Sequence, residues 1–161
     1  MAERYRPVLT PAGLKHPRVR EFVAVRRRPS SRGLAGQVAL QGTWMVGQAL
    51  AAGMRLEAVF ACPALLRRSA EGLALIGRTA GNGAETYEVS ERVLRHLAGR
   101  DGIDGVAALA QARQPTLGDV RVGGRTRVVI ADGWDLPGNL GTLIRCADGA
   151  GASGVVVVEQ G

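Results

Sequence analysis

The residues best placed to do chemistry lie together in the run Asp135-Leu136-Pro137-Gly138-Asn139-Leu140-Gly141-Thr142-Leu143-Ile144-Arg145-Cys146-Ala147-Asp148. The amide of Asn139 can cap a helix start and order the loop before it. The guanidinium of Arg145 is a planar fork suited to a phosphate or to holding a ribose in place. Six residues do not share one helix face, so the two side chains meet only if Asn139 reaches back from the loop. The residues alone leave another reading open, with Asn139 a plain cap and Arg145 a surface ion-pair partner of Asp148. The run contains neither GxGxxG nor GxxxxGK[ST], which excludes a dinucleotide fingerprint and a Walker loop.

A second feature is charge. The formal net charge is +7, and residues 1–33 hold nine Arg or Lys against Glu3 and Glu21. The remaining chain carries twelve basic and twelve acidic side chains and is neutral. The excess is therefore an arm rather than a property of the whole surface. Arg18, Arg20, Arg26, Arg27, Arg28 and Arg32 are the candidates for contact with a nucleic-acid backbone. The plainer alternative is a solubilising tail. Cys62 and Cys146 form no CxxC pair and read as packing residues in a reducing, cytoplasmic setting. His16 and His96 are too far apart in sequence to suggest a metal site, and no metal is expected. The longest apolar runs, such as Gly154 to Val158, are far too short to span a bilayer, so no membrane association is expected.

The elements that must position these residues follow from apolar patterning and punctuation. Residues 1–15 look irregular because Pro7 and Pro11 interrupt them. Pro17 to Val25 reads as a short helix and Arg26 to Gly33 as an exposed basic loop. Gln37 to Leu40 reads as a strand, Thr43 to Ala52 as a helix closed by Gly53, and Leu56 to Ala61 as a buried strand. Pro63 opens a helix through Arg78. Glu85 to Val89 is a strand, and Ser90 caps a helix whose Val93, Leu94 and Leu97 share one face. Gly105 to Leu109 closes the series, which predicts a small α/β sandwich of about 100 residues.

Residues 113–124, with Gln114-Pro115 and Gly118, Gly123 and Gly124, read as a linker. A fresh pattern follows: a strand at Arg127 to Ala131, a polar loop at Asp132 to Asn139, a helix at Leu140 to Ala150 and a strand at Gly154 to Val158. Two apolar strands and one helix make a parallel βαβ unit whose faces need cover. The expectation is that further chain, rather than the first domain, supplies it.

The run from Asn139 to Asp148, followed by Gly151-Ala152 and Gly154-Val155, resembles the first signature motif of the SpoU (TrmH-like) branch of the SPOUT methyltransferases. His16-Pro17-Arg18-Val19-Arg20, the Arg26 to Arg32 stretch, and Val38-Ala39-Leu40-Gln41-Gly42 with Val46, Ala49 and Leu50 resemble its amino-terminal substrate-binding domain, an L30e-like fold. Gln41 departs from the glutamate usual there. The resemblance implies an α/β chain in four parts: a basic arm over 1–33, whose residues 16–33 belong with an L30e-like RNA-binding domain over 34–112, then a linker over 113–124 and the start of a trefoil-knotted methyltransferase domain over 125–161.

The resemblance further implies transfer of a methyl group from S-adenosylmethionine to a ribose 2′-hydroxyl of RNA, most readily ribosomal RNA, by a homodimer. It casts Asn139 as shaping the site and Arg145 as the catalytic arginine, and it places the donor pocket after residue 161. Three alternatives stand beside it: a non-catalytic L30e-type RNA-binding module with a vestigial second domain, a proteolytic, disordered-tail or truncated version of a full enzyme, and a structural dimer partner with incidental charge.

Overall fold

The computed structural model describes residues 9–27, 36–66, 70–99, 104–112, 115–120, 123–133 and 137–158. The chain divides into two compact units, Met1–Arg113 and Gln114–Gly161.

The first unit is built on one mixed sheet. Its elements are β1 (Thr10–Pro11), α1 (Pro17–Arg27), β2 (Gln37–Gln41), α2 (Thr43–Ala51), β3 (Leu56–Ala61), α3 (Pro63–Leu66), α4 (Ala70–Gly81), β4 (Glu85–Glu88), α5 (Glu91–Ala98) and β5 (Val106–Gln111). The strand order is β1-β4-β3-β5-β2, with β1, β4 and β3 parallel and β5 antiparallel to both β3 and β2. Thr10–Pro11 is not irregular, as its prolines suggest, but pairs with Tyr87 and Glu88 at the sheet edge, where proline is tolerated because no ladder donor is required of it.

Strand alternation divides the core into two layers. Ala58, Phe60, Ala107 and Leu109 face α1 and α5, packing with Val19, Phe22, Leu94 and Leu97. Val59, Ala61, Val106, Ala108 and Ala110 face the other way, packing with Val46, Ala49, Leu75 and Ile76. Leu56 shares the second layer although parity from Ala58 would send it to the first. The cause is a bulge at Glu57: Leu56 pairs with Ala110 and Ala58 with Leu109, so one extra residue resets the alternation. The start of α5 is fastened as the sequence predicts, and its end is closed by a glycine. There the Ser90 hydroxyl accepts from Val93 N–H, and Gly99 takes the left-handed conformation at φ 67°. At α2 the fastening comes from afar: the Asp104 carboxylate accepts from Thr43 N–H at 2.9 and 3.0 Å and from the Thr43 hydroxyl.

In the second unit a 3-10 turn, Leu117–Asp119, precedes β6 (Val128–Asp132), α6 (Pro137–Gly149) and β7 (Gly154–Val158). The strands pair in parallel from Val128↔Gly154 to Asp132↔Val158, making one βαβ unit. Ala131 and Ala147 are buried, while Ile130 is 68% exposed and Ile144, Val157 and Val158 are also exposed. The helix begins earlier than the polar-loop reading expects. Proline has no N–H to leave unpaired and its fixed φ suits a first helical position, so Pro137, Gly138 and Asn139 are already helical. No helix among the described residues is long and apolar enough to cross a membrane.

Candidate functional site

Arg145 sits on α6 with its side chain exposed. Side chains on a helix point back toward its start, and this one follows the rule. Arg145 Nη2 donates to the Thr142 hydroxyl at 3.1 Å, and that hydroxyl donates to the Gly138 carbonyl at 3.2 Å. Position 141 is bare: a Cβ there would meet Arg145 Nη1 at 3.6 Å, so the guanidinium lies close along the helix backbone. The cation is thus tethered over the first turns of α6. That end follows the carboxyl end of β6, the edge at which open α/β sheets bind ligands.

Asn139 is helical and exposed, the third residue of α6 rather than its cap. Among the described residues no hydrogen bond joins it to Arg145, and none of the ion pairs joins Arg145 to Asp148. The geometry therefore brings Arg145 together with Thr142 and Gly138, with no hydrogen bond to Asn139 among the described residues. Sequence reasoning misses Thr142; the available signal is a hydroxyl three residues before an arginine, the spacing at which helix side chains meet. Arg127 also has a supporting role, its Nη1 donating to the Ala150 carbonyl at 2.9 Å and so closing the last turn of α6.

The candidate phosphate contacts separate into groups. Arg18 has three donor atoms engaged: Nε and Nη2 hold the two Glu85 oxygens at 2.8 and 3.0 Å, and Nη1 holds Glu21 at 2.9 Å. Hydrogen bonds with Glu85 and then Glu21 raise the guanidinium pKa above its ordinary value. The same Arg18 bond, with a second from the Tyr87 hydroxyl, pulls the Glu85 carboxyl down to about 2. Arg18 is thereby a staple between α1 and β4, not a free cation.

Arg26 is a second correction. The sequence places it in an exposed loop, but it lies in the last turn of α1 and its Nη1 donates to the Ala98 carbonyl at the end of α5. Its Nε is buried with no hydrogen-bond partner. Gln41 Nε2 donates to the same carbonyl at 3.3 Å, so the amide that stands where a glutamate is usual shares Arg26's target. Arg20 and Arg27 are exposed on α1. Arg28 and Arg32 lie outside the described residues.

Cys62 is buried as expected, whereas Cys146, expected to pack, is exposed on α6. His16 packs its ring against Tyr87 and accepts from Arg18 N–H, and His96 is an exposed helix-face residue. No group of His, Cys, Asp or Glu among the described residues could hold a metal ion.

A family model described as the MRM3-like substrate binding domain matches residues 16–108. Solved structures also resemble the chain. A crystal structure of an rRNA methyltransferase from Sinorhizobium meliloti aligns with TM-score 0.75 at 28% identity, over 92% of this chain and 54% of that one. An RNA 2′-O ribose methyltransferase aligns with TM-score 0.73 at 29% identity, over 95% and 57%. The SpoU methyltransferase AviRb from Streptomyces viridochromogenes, in complex with AdoMet, aligns with TM-score 0.70 at 22% identity, over 88% and 52%, a likeness of fold alone. The chain spans about half the length of these structures. The comparison with curated proteins returns no match.

Proposed function

The chain belongs to the SpoU family of RNA methyltransferases, carrying its MRM3-like substrate-binding domain, and from that premise we propose that it contains the RNA-recognition part and the arginine-bearing half of an S-adenosylmethionine-dependent ribose 2′-O-methyltransferase acting on ribosomal RNA. The observation that carries this reading is the tethered cation: Arg145 held by Thr142 over the first turns of α6, beyond the carboxyl end of a parallel strand. Cytoplasmic location, assembly as a homodimer and a trefoil knot belong to the same proposal.

A ribose 2′-hydroxyl is a poor nucleophile, and alignment supplies much of the rate at which it attacks. Arg145 serves by fixing the neighbouring phosphate and by stabilising charge as it develops on the 2′-oxygen. A guanidinium offers only donors and no acceptor, so the part given to Arg145 is positioning and charge stabilisation rather than proton removal. The Thr142 tether matters because a free arginine side chain would have to be ordered at the moment of reaction. The methyl donor supplies an activated methyl group when bound. The described residues of the second unit do not by themselves fit it: α6 and both strands present open surfaces, with Ile130 68% exposed, rather than an enclosed pocket. No donor contact is therefore assigned to them.

Recognition falls to the first unit. Arg20 and Arg27 are exposed, and Arg28 and Arg32 continue the basic run. Such residues hold backbone phosphates and give affinity without reading sequence. The test is a pair of calorimetric titrations with S-adenosylmethionine and with ribosomal RNA, run on this chain and on the full gene product. RNA binding by both, with donor binding by the full product, supports the reading. Donor binding by neither would sink the enzyme assignment and leave a non-catalytic RNA-binding module.

A further inference from the structure

We propose that Trp44, with Met45 beside it, is a stacking step for one unpaired base of the RNA, an inference that rests on the RNA-binding reading above and adds a contact to it. Trp44 is 70% exposed and Met45 45% exposed, in the first turn of α2. Phe22 and Phe60 meet edge to face in the core, and Phe60 and Tyr87 stack at 5.6 Å, whereas Trp44 makes no ring contact among the described residues. The opposite face of α2 does the packing, through the buried Val46 and Ala49.

The ring also stands on a rigid base. Gly42 N–H donates to the Val106 carbonyl at 2.9 Å, and Gly42 itself takes φ 92°, a conformation that suits glycine. Thr43 is clamped by the Asp104 carboxylate through its N–H and its hydroxyl. Val46 N–H closes the first helical turn on the Gly42 carbonyl. A large flat side chain with two rotatable bonds, carried on a backbone held this firmly, loses little further freedom on binding.

The surroundings select the occupant. Gln41, just before this turn, shares the Ala98 carbonyl with Arg26, so the end of α1 lies beside the start of α2. Arg27 is exposed on that last turn of α1 and supplies the positive charge. A flat apolar ring next to a source of positive charge matches a nucleotide, whose base stacks while its phosphate pairs. A second copy of this chain would bring its own +7 charge to the same place. One ring serves one base, so this is a single step and not a multi-base platform.

The test uses this chain with Trp134→Phe, which leaves Trp44 as the one tryptophan, and two probes: a hairpin RNA with an adenine loop and a blunt duplex with as many phosphates. The hairpin is expected to quench Trp44 fluorescence. Trp44→Ala should weaken hairpin binding by about tenfold or more and leave duplex binding and the salt dependence unchanged, since no charge is lost. Trp44→Phe should restore most of the loss. An exposed ring predicts unchanged urea midpoints for both variants; if Trp44→Ala alone shifts its midpoint, Trp44→Phe decides the matter. Equal hairpin affinity in Trp44→Ala, with RNA binding intact, would overturn the stacking step and leave the RNA-binding reading standing. Binding of neither probe by the parent chain would remove both. Quenching that follows protein concentration without RNA, and a dimer lost in Trp44→Ala, would make the patch a contact between copies and overturn the proposal.

Discussion

Removing Arg18 should weaken the fold and leave RNA binding per folded molecule unchanged, although Arg18 stands in the basic arm. Its fork holds both Glu85 oxygens, and a third bond reaches Glu21. The Arg18 and Glu85 side chains are 31% and 50% exposed, so solvent screens the pair well below the worth of a buried one. Bidentate geometry lifts it to the upper end of exposed pairs, which gives a coupling of about 1 kcal/mol. Arg18→Ala also drops the Glu21 bond and leaves neighbouring carboxylates without their cation, for a total of about 2 kcal/mol. In a domain of this size that lowers Tm by roughly 10 °C. A double-mutant cycle of Arg18→Ala and Glu85→Ala in urea unfolding reads the coupling directly. The same proteins, titrated with RNA below their unfolding midpoints at several salt concentrations, read the charge role. Abolishing one phosphate interaction lowers the slope of log K against log salt by about 0.7 to 0.9. Arg20→Ala and Arg27→Ala should each show that decrease and Arg18→Ala none. A coupling near zero, together with a lower slope for Arg18→Ala, would refute the division of labour drawn between these arginines.

Three further outcomes are expected. Glu85 is held at about 2 in the fold and near 4.5 when unfolded, so its contribution is full above the unfolded value and is lost as pH falls through that window. After screening the loss is about 1 kcal/mol, and Glu85→Gln should flatten stability across the same window in acid titrations followed by circular dichroism. Asp104→Ala removes the remote cap of α2 and should cost about 1 kcal/mol in urea unfolding, whereas Asp104→Asn, which keeps one acceptor, should cost less. Gly99→Ala places a Cβ where the Arg26 guanidinium lies and forces an L-residue to φ 67°. Urea unfolding should show a loss of about 2 kcal/mol; in an Arg26→Ala background the same change should cost about half as much, since only the backbone strain remains.

What could be read from sequence were the features governed by neighbours along the chain. The apolar runs at Leu56–Ala61 and Gly154–Val158 match the strands residue for residue, and the Ser90 cap of α5 follows from local chemistry. The early start of α6 is also legible, in Pro137, but the polar character of the segment points the other way. Partners distant in sequence were not legible. Arg18 and Glu85 are 67 residues apart and Arg26 and Ala98 are 72, so an arginine's role as staple or free cation depends on the fold. The same holds for Asp104 at the start of α2, and for Glu57, whose bulge resets the strand parity only because β5 pairs across it. At the candidate site Arg145 was legible by type and motif, its tether to Thr142 was not, and Asn139 is not the cap it resembled.

The most direct test of the central claim follows tritiated methyl transfer from S-adenosylmethionine to ribosomal RNA by the full gene product, with the labelled RNA then hydrolysed in alkali. A methyl group on the 2′-oxygen removes the nucleophile that alkali needs, so label is expected in alkali-resistant dinucleotides. Arg145→Ala should reduce it by about a hundredfold or more, with RNA affinity kept within a few fold. Label released as mononucleotides, or full transfer by Arg145→Ala, would contradict the assignment of ribose methylation to a site built around this arginine.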